Sequence, residues 1–407
     1  MEDIYFIENI LSAPRGEESN PGMLKTQNDN ECTVILFNAS KFLENEQLDN
    51  SDYFNIQTIP ISQLDDVKQG TFVYNTNLSQ NVYTRVARHF VSQNNMLRRT
   101  LINNTAQDIY EPKIDRNIVS YHVNVGHGNC SFLVDKSKKD IWLIDCSNFD
   151  YLEHKSYQKN IDSCITHIKD KYCLQKFHIE KVFITHPHFD HYSGIGILIN
   201  KGFIDADSFF YINNYYTFAS GKWNDLLAKI AALKPKKVIE PIFQNSFSGV
   251  DILYPEQSVV RTLATKGSTS KTIIQSNPNN ASIVFLVKDI NKSFLFTGDI
   301  ETEAWDIVKK CCPHLLNCDY YAISHHGSDT GHKRTKCPMG KSISKVSDCI
   351  KHNAQPILMG RDGAYSGIYS TKVLSDFKNI IYSQQDASGI PKDFVEIEWE
   401  LNNVKYH

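Results

Sequence analysis

Thr185-His186-Pro187-His188-Phe189-Asp190-His191 directly follows the apolar run Val182-Phe183-Ile184. Three imidazoles and one carboxylate delivered by a strand-like run can surround one or two borderline metal ions. Alternation along an extended chain puts His186 and His188 on one side. It leaves Asp190 and His191 to turn toward a neighbouring position, so one motif can feed two adjacent metals. A surface loop rich in histidine by chance would carry the same letters. Against that reading, ligand-type residues recur downstream in fitting contexts.

Upstream lies Val123-Asn124-Val125-Gly126-His127-Gly128-Asn129-Cys130-Ser131-Phe132-Leu133-Val134, then Trp142-Leu143-Ile144-Asp145-Cys146. Downstream come Asn280-Ala281-Ser282-Ile283-Val284, Phe294-Leu295-Phe296-Thr297-Gly298-Asp299 and Ile323-Ser324-His325-His326-Gly327-Ser328. Together these pieces resemble the signature of the metallo-β-lactamase fold. The Gly-Asp and His-His-Gly-Ser segments resemble its ComEC-like branch, the hydrolase domain of DNA-uptake proteins and its soluble relatives. The resemblance covers roughly residues 117–400.

The resemblance implies an αββα sandwich. Strands and helices alternate from Asn117 onward, which by itself fits a layered α/β core. The expected organisation is a small N-terminal α/β domain over residues 1–115 and a hydrolase domain over 116–407.

Two divalent ions are expected, Zn²⁺ for the imidazole-rich set or Mn²⁺ for phosphodiester chemistry. His186, His188 and Asp299 are assigned to the first ion. Asp190, His191, Asp299 and His325 are assigned to the second, with Asp299 as the bridge. His326 can take the place of His325 or contact a substrate phosphate. Asp145 ends a strand and, by the resemblance, orients a ligand histidine from behind. Asp190, His326 and Asn280 are the candidate catalytic residues. Asn280 can contact metal, water or substrate.

Three departures alter the expected pocket. Residues 192–313 contain no histidine, an absence shared by ComEC-like sequences, which leaves the first ion short of ligands. The common Gly-Gln-Gly-Asp loop reads Gly126-His127-Gly128-Asn129 here, so an acid is lost and His127 is gained as a titratable group and possible proton shuttle. The late Asn-x-Tyr-Gly-His-Pro stretch corresponds to Gly360–Ser370, where the histidine is missing.

The stretch from Gly331 to Lys345 holds Lys333, Arg334, Lys336, Lys341 and Lys345 and no acid. It starts beside the His-His-Gly-Ser segment. Lys333, Arg334 and Lys336, with Ser328 and His127, are the candidate substrate contacts, and a phosphate backbone is the chemistry they suit. A solvated loop would show the same charges.

Bulk composition sets outer bounds. At 407 residues two domains are expected, and 41% hydrophobic residues support a full core. A net charge of −3 excludes a chain coated in basic charge, though not a local basic groove. Ten cysteines sit without a C-x-x-C pair, which reads as reduced thiols in a cytoplasmic protein. The start, Met1-Glu2-Asp3-Ile4, lacks a secretory layout, and no apolar run reaches the ~18 residues of a membrane helix. No membrane association is expected.

In the first part, Thr33–Phe37, Asn55–Ile59 and Gly70–Tyr74 read as strands, and Gln80 to about Asn103 reads as a helix. Arg85, Arg88, Arg98 and Arg99 decorate that helix. Thr105 to Asp115 reads as a linker. With no ligand cluster, this part is expected to serve recognition or assembly, and a protein partner would dock there.

The expected function is hydrolysis of a phosphodiester in DNA or RNA by a metal-bound hydroxide. A small-molecule or nucleotide hydrolase is the first alternative, because the fold alone does not fix the substrate. An effector or scaffold subunit of a bacterial antiviral defence complex is the second, by analogy with soluble ComEC-like hydrolases.

Overall fold

Alternating apolar residues separate two cores. Phe132 and Val134 face one core while Leu133 between them faces the other. Leu143 likewise opposes Trp142 and Ile144, and Leu295 opposes Phe294 and Phe296. Strands buried on both faces must lie between two further layers. The computed structural model describes residues 4–12, 31–44, 53–60, 70–74, 85–102, 116–212, 218, 220–241, 243, 246–247, 249–255, 278–311, 313–332, 350, 354–364 and 367–407.

An eight-stranded sheet runs in the order Lys237–Ile239, Phe209–Ile212, Lys181–Ile184, Asp140–Cys146, Cys130–Asp135, Ile118–Val123, Phe394–Glu398, Asn403–Tyr406. Its first four strands are mutually parallel and the rest pair antiparallel. A seven-stranded sheet faces it, in the order Ser246–Phe247, Val250–Tyr254, Val284–Lys288, Ser293–Phe296, Tyr320–Ala322, Gln355–Leu358, Ile381–Tyr382. Its last four strands are parallel. Leu133, Trp142, Phe183 and Tyr211 meet Phe285, Phe294 and Phe296 between the sheets. Helices Gln158–Lys171 and Gly221–Leu233 bury Ile161, Ile168, Leu227 and Ile230 outside the first sheet. Helix Thr302–Cys311 contributes Trp305 and Val308. This is a mixed α/β αββα sandwich. Phe394–Glu398 and Asn403–Tyr406 form a closing hairpin, turned at Asn402, which takes a φ of 49°.

The N-terminal part is a four-stranded antiparallel sheet, Phe54–Pro60, Glu31–Asn38, Ile4–Ser12, Phe72–Tyr74, with helices Ala39–Glu44 and Arg85–Ile102. The first of these strands in the chain, Ile4–Ser12, was absent from the sequence reading. Its register shifts between Ile7 and Asn9, so the alternation that reveals strands is interrupted. Phe6, Phe37, Phe54 and Phe90 belong to the same continuous core as Phe189, Tyr192 and Trp223. The expected linker, Thr105 to Asp115, lies outside the described residues. Among the described residues, no helix is long and apolar enough to cross a membrane.

Candidate metal centre

Every candidate ligand follows the C-terminal end of a parallel strand. Lys181–Ile184 delivers His186 to His191, Ser293–Phe296 delivers Asp299, and Tyr320–Ala322 delivers His325 and His326. Asp145 lies on Asp140–Cys146. Strand ends of one polarity converge on one edge of the sandwich, where open α/β sheets bind ligands.

Asp190, His191, Asp299 and His326 present ligand atoms that all lie within 4.8 Å of one another, and all four residues are buried. Nε2 of His191 is 3.2 Å from Asp299 Oδ2. Nε2 of His326 is 3.4 Å from Asp190 Oδ2 and 3.4 Å from Asp299 Oδ2. His186 and His188 form an adjoining pair, Nε2 to Nδ1 at 3.1 Å, and the His186 ring lies 4.2 Å from that of His191.

The second-site assignment of His325 differs from this arrangement, which brings His326 into the cluster. His325 and His326 both take left-handed backbone, φ 47° and 50°, so strand alternation does not predict their directions. The His325 ring instead meets Thr330 Oγ1 at 3.1 Å, Asn279 Nδ2 at 3.4 Å and Glu301 Oε1 at 3.6 Å. His326 Nδ1 lies 3.2 Å from the Met359 carbonyl oxygen, which leaves Nε2 for the carboxylates.

Asp145 accepts from the backbone N–H of Thr185 at 2.8 Å and from Thr185 Oγ1 at 2.8 Å. Its Oδ2 is also 2.8 Å from His191 Nδ1. Thr185 was not singled out from sequence, although it immediately precedes the motif. Gly298 takes φ 51°, and a Cβ there would meet Ser282 and Thr185 at 2.9 Å. Only glycine lets the Asp299 loop approach that closely. The Asp299 N–H donates to Ser282 Oγ at 3.0 Å.

His127 is buried, its Nε2 3.2 Å from Asp190 Oδ2 and its ring 4.6 Å from that of His326. Its backbone N–H donates to Asp150 Oδ2, which Arg361 Nε also reaches at 2.7 Å. Arg361, in the altered Gly360–Ser370 stretch, thus ties that loop to the His127 loop. Asn280 Oδ1 accepts from the Glu301 N–H at 2.9 Å, and Tyr254 donates to the Asn280 carbonyl at 2.5 Å. Ser328 is buried beside Thr330, Oγ to Oγ1 at 3.1 Å. Lys333, Arg334 and Lys336 lie outside the described residues.

The charges fall into two groups. Burial opposes charge on His191 and His326, but Asp299 reverses it for both. Asp145 and Asp190 assist at His191, which is held well above the usual histidine range. Hydrogen bonding to Asp190 and Asp299 assists at His326, raised to about 9. Burial likewise opposes charge on Asp190 and Asp299, but the neighbouring imidazoles hold both well below the usual carboxylate range. Burial pushes His188 and His325 down to about 4. Burial, then the charges of His191 and His188, push His186 well below its ordinary value. His186, His188 and His325 are therefore neutral at pH 7, the form that ligates metal.

The residues fit a divalent cation. Asp190 Oδ1 and Asp299 Oδ1 are buried and have no hydrogen-bond partner among the described residues. A buried carboxylate oxygen with no donor is costly unless a cation meets it. Imidazole nitrogen and carboxylate oxygen are the donors that Zn²⁺ and Mn²⁺ accept.

Residues 123–308 match the Metallo-beta-lactamase superfamily. No curated protein matches the chain. Among solved structures, CmlA, a diiron beta-hydroxylase from Streptomyces venezuelae, aligns at 17% identity and TM-score 0.29, over 52% of this chain and 35% of that one. A long form RNase Z from yeast aligns at 11% identity and TM-score 0.32, over 94% of this chain and 53% of that one. The chain thus spans about a third of one and about half of the other. The matched residues 123–308 carry Asp190, His191 and Asp299 of the strand-end cluster, and this part of the chain is similar to the metallo-β-lactamase superfamily.

Proposed function

We propose that this chain is a divalent-metal-dependent phosphodiesterase acting on nucleic acid. The observation that carries the reading is the buried Asp190, His191, Asp299 and His326 cluster with its two carboxylate oxygens that lack a donor. His186, His188 and Asp299 would hold one ion, and Asp190, His191, Asp299 and His326 the other. Bound there, the metal supplies a nucleophilic water at neutral pH and neutralises phosphate charge.

The chain's own residues supply positioning. Asp145 holds His191 by Nδ1 and so aims Nε2 at Asp299. Asn280 Nδ2 is a buried donor with no partner among the described residues, available to a phosphate oxygen. His127, next to Asp190, is kept below its ordinary pKa chiefly by burial and can accept a proton.

Nucleic acid is chosen over a small ester because Lys333, Arg334 and Lys336 follow His326 by seven to ten residues. The second reading, a small phosphodiester or nucleotide substrate, is favoured by the burial of the whole cluster and the net charge of −3.

The test is purified protein with Mn²⁺ or Zn²⁺ against plasmid, single-stranded DNA, RNA and bis(p-nitrophenyl) phosphate. Changing Lys333, Arg334 and Lys336 together to Ala should weaken nucleic-acid cleavage far more than cleavage of the small ester. The salt dependence of duplex binding should flatten by about 0.9 units of slope per lost contact. Equal loss on both substrates would indicate a folding or metal defect. No loss on either would move the small-substrate reading to first place.

A further inference from the structure

The ligand motif carries an apolar residue in its middle. Phe189 sits between His188 and Asp190 and is buried. Its ring meets Phe54 of the N-terminal sheet at 4.9 Å between centroids. Phe54 also stacks on Tyr151 at 5.9 Å, and Tyr151 presents its ring edge-on to His127 at 6.1 Å. One N-terminal ring therefore touches the ligand loop directly and reaches the His127 loop through a single intermediate.

A second connection meets the same motif at His188. The His188 ring packs on Phe218 at 5.7 Å, and Phe218 packs edge-on against Phe6 of the N-terminal sheet at 5.0 Å. The Phe218 carbonyl accepts from Asn94 Nδ2 at 3.0 Å. Asn94, on helix Arg85–Ile102, also donates to Asn224 Oδ1 at 2.7 Å, and Asn224 donates back to the Phe90 carbonyl at 3.0 Å. These amides are fully buried, so they fix one register between the N-terminal helix and helix Gly221–Leu233.

We infer that the N-terminal part is a wall of the metal centre: Phe54 and Phe6, through Phe189 and Phe218, set the direction of the His188 and Asp190 side chains. They act through other side chains and are positioning residues. The inference rests on the metal reading above and deepens it. The physical reason is that a short ligand loop has little backbone pairing of its own. Ring packing at Phe189 and at His188 restricts the rotamers that decide where its donors point. Supporting groups of this kind typically change metal affinity by about 10–100-fold when removed.

The test is metal affinity of the full chain, by chelator competition with Zn²⁺, together with the visible spectrum of the Co²⁺-loaded protein. Phe54→Ala should lower affinity by about 10–100-fold and alter the Co²⁺ spectrum, and Phe54→Leu should recover most of both. Leu36→Ala is the control. Leu36 is buried in the same sheet but in a separate cluster with Tyr5, Ile7, Val34, Ile59 and Val73, apart from the core that holds Phe6 and Phe54. It should lower thermal stability while leaving affinity and spectrum unchanged. Should Phe54→Ala not fold, Phe54→Val against Leu36→Val carries the same comparison. Unaltered affinity and spectrum in Phe54→Ala, or in Phe54→Val where it takes its place, or equal loss in the Leu36 variants, would overturn the inference and leave the metal reading intact. Absence of Zn²⁺ binding by the unaltered protein would overturn both.

Discussion

Asp145 and His191 share a 2.8 Å contact, Oδ2 to Nδ1, in which neither group is exposed. The same carboxylate takes the backbone N–H of Thr185, so one side chain fixes both the start of the ligand motif and its last histidine. Asp145 itself adopts φ 50°, a region that Asn tolerates well among non-glycine residues. Asp145→Asn should therefore fold and keep the turn, but lose the charge that orients His191. Metal affinity should fall about 10–100-fold with little change in thermal midpoint. Chelator competition beside a melting curve separates the two effects.

His325 and His326 should behave differently. His326 Nε2 reaches both carboxylates, whereas His325 is held by Thr330, Asn279 and Glu301. His326→Ala should weaken the binding of the second ion more than His325→Ala does, by at least about tenfold on the scale of a lost ligand contact. Isothermal titration of both variants with Zn²⁺ checks the order. The reverse order would favour His325, the residue assigned to the second ion from sequence.

Gly360 takes φ 94°, and a Cβ there would stand 2.7 Å from His326 Nδ1 and 2.9 Å from His326 Cβ. Gly360→Ala should cost about 1–3 kcal/mol in strain and displace the His326 ring. Denaturant unfolding measures the first effect, and weakened binding of the second ion reports the other.

Much of this centre is legible in the sequence, because its parts are local. His186 to His191 and Asp299 are each announced by an apolar strand followed at once by ligand-type residues. The choice between His325 and His326 was not legible. Both sit in left-handed backbone, where the period-two rule that separates neighbours does not hold. The rings of Phe54 and Phe6 could not be read as part of the site, since their contacts with Phe189 and Phe218 join residues over a hundred positions apart and leave no periodic mark. Strand Ile4–Ser12 was hidden by the register shift at Glu8.

Glu8 makes a pH prediction. Burial raises its carboxyl from the ordinary 4.5 to about 8; a hydrogen bond with Ser220 opposes the rise and the charge of Asp190 adds to it. A raised acid holds its proton in the folded state while the unfolded chain has released it. Stability therefore falls as pH rises from about 4.5 to about 8 and is level above that. Glu8→Gln removes this dependence. The variant should match the original protein near pH 4.5 and exceed it at pH 8, by on the order of a few kcal/mol. Urea unfolding across that range checks it. Equal stability at both pH values would show that Glu8 is charged in the fold.

The account stands most directly on metal stoichiometry. Purified protein titrated with Zn²⁺ or Mn²⁺ and measured by elemental analysis should bind two ions per chain, with Asp299→Ala binding none and His191→Ala losing the second. A folded protein that neither carries nor takes up a transition metal would contradict the assignment of the buried Asp190, His191, Asp299 and His326 cluster as a metal centre.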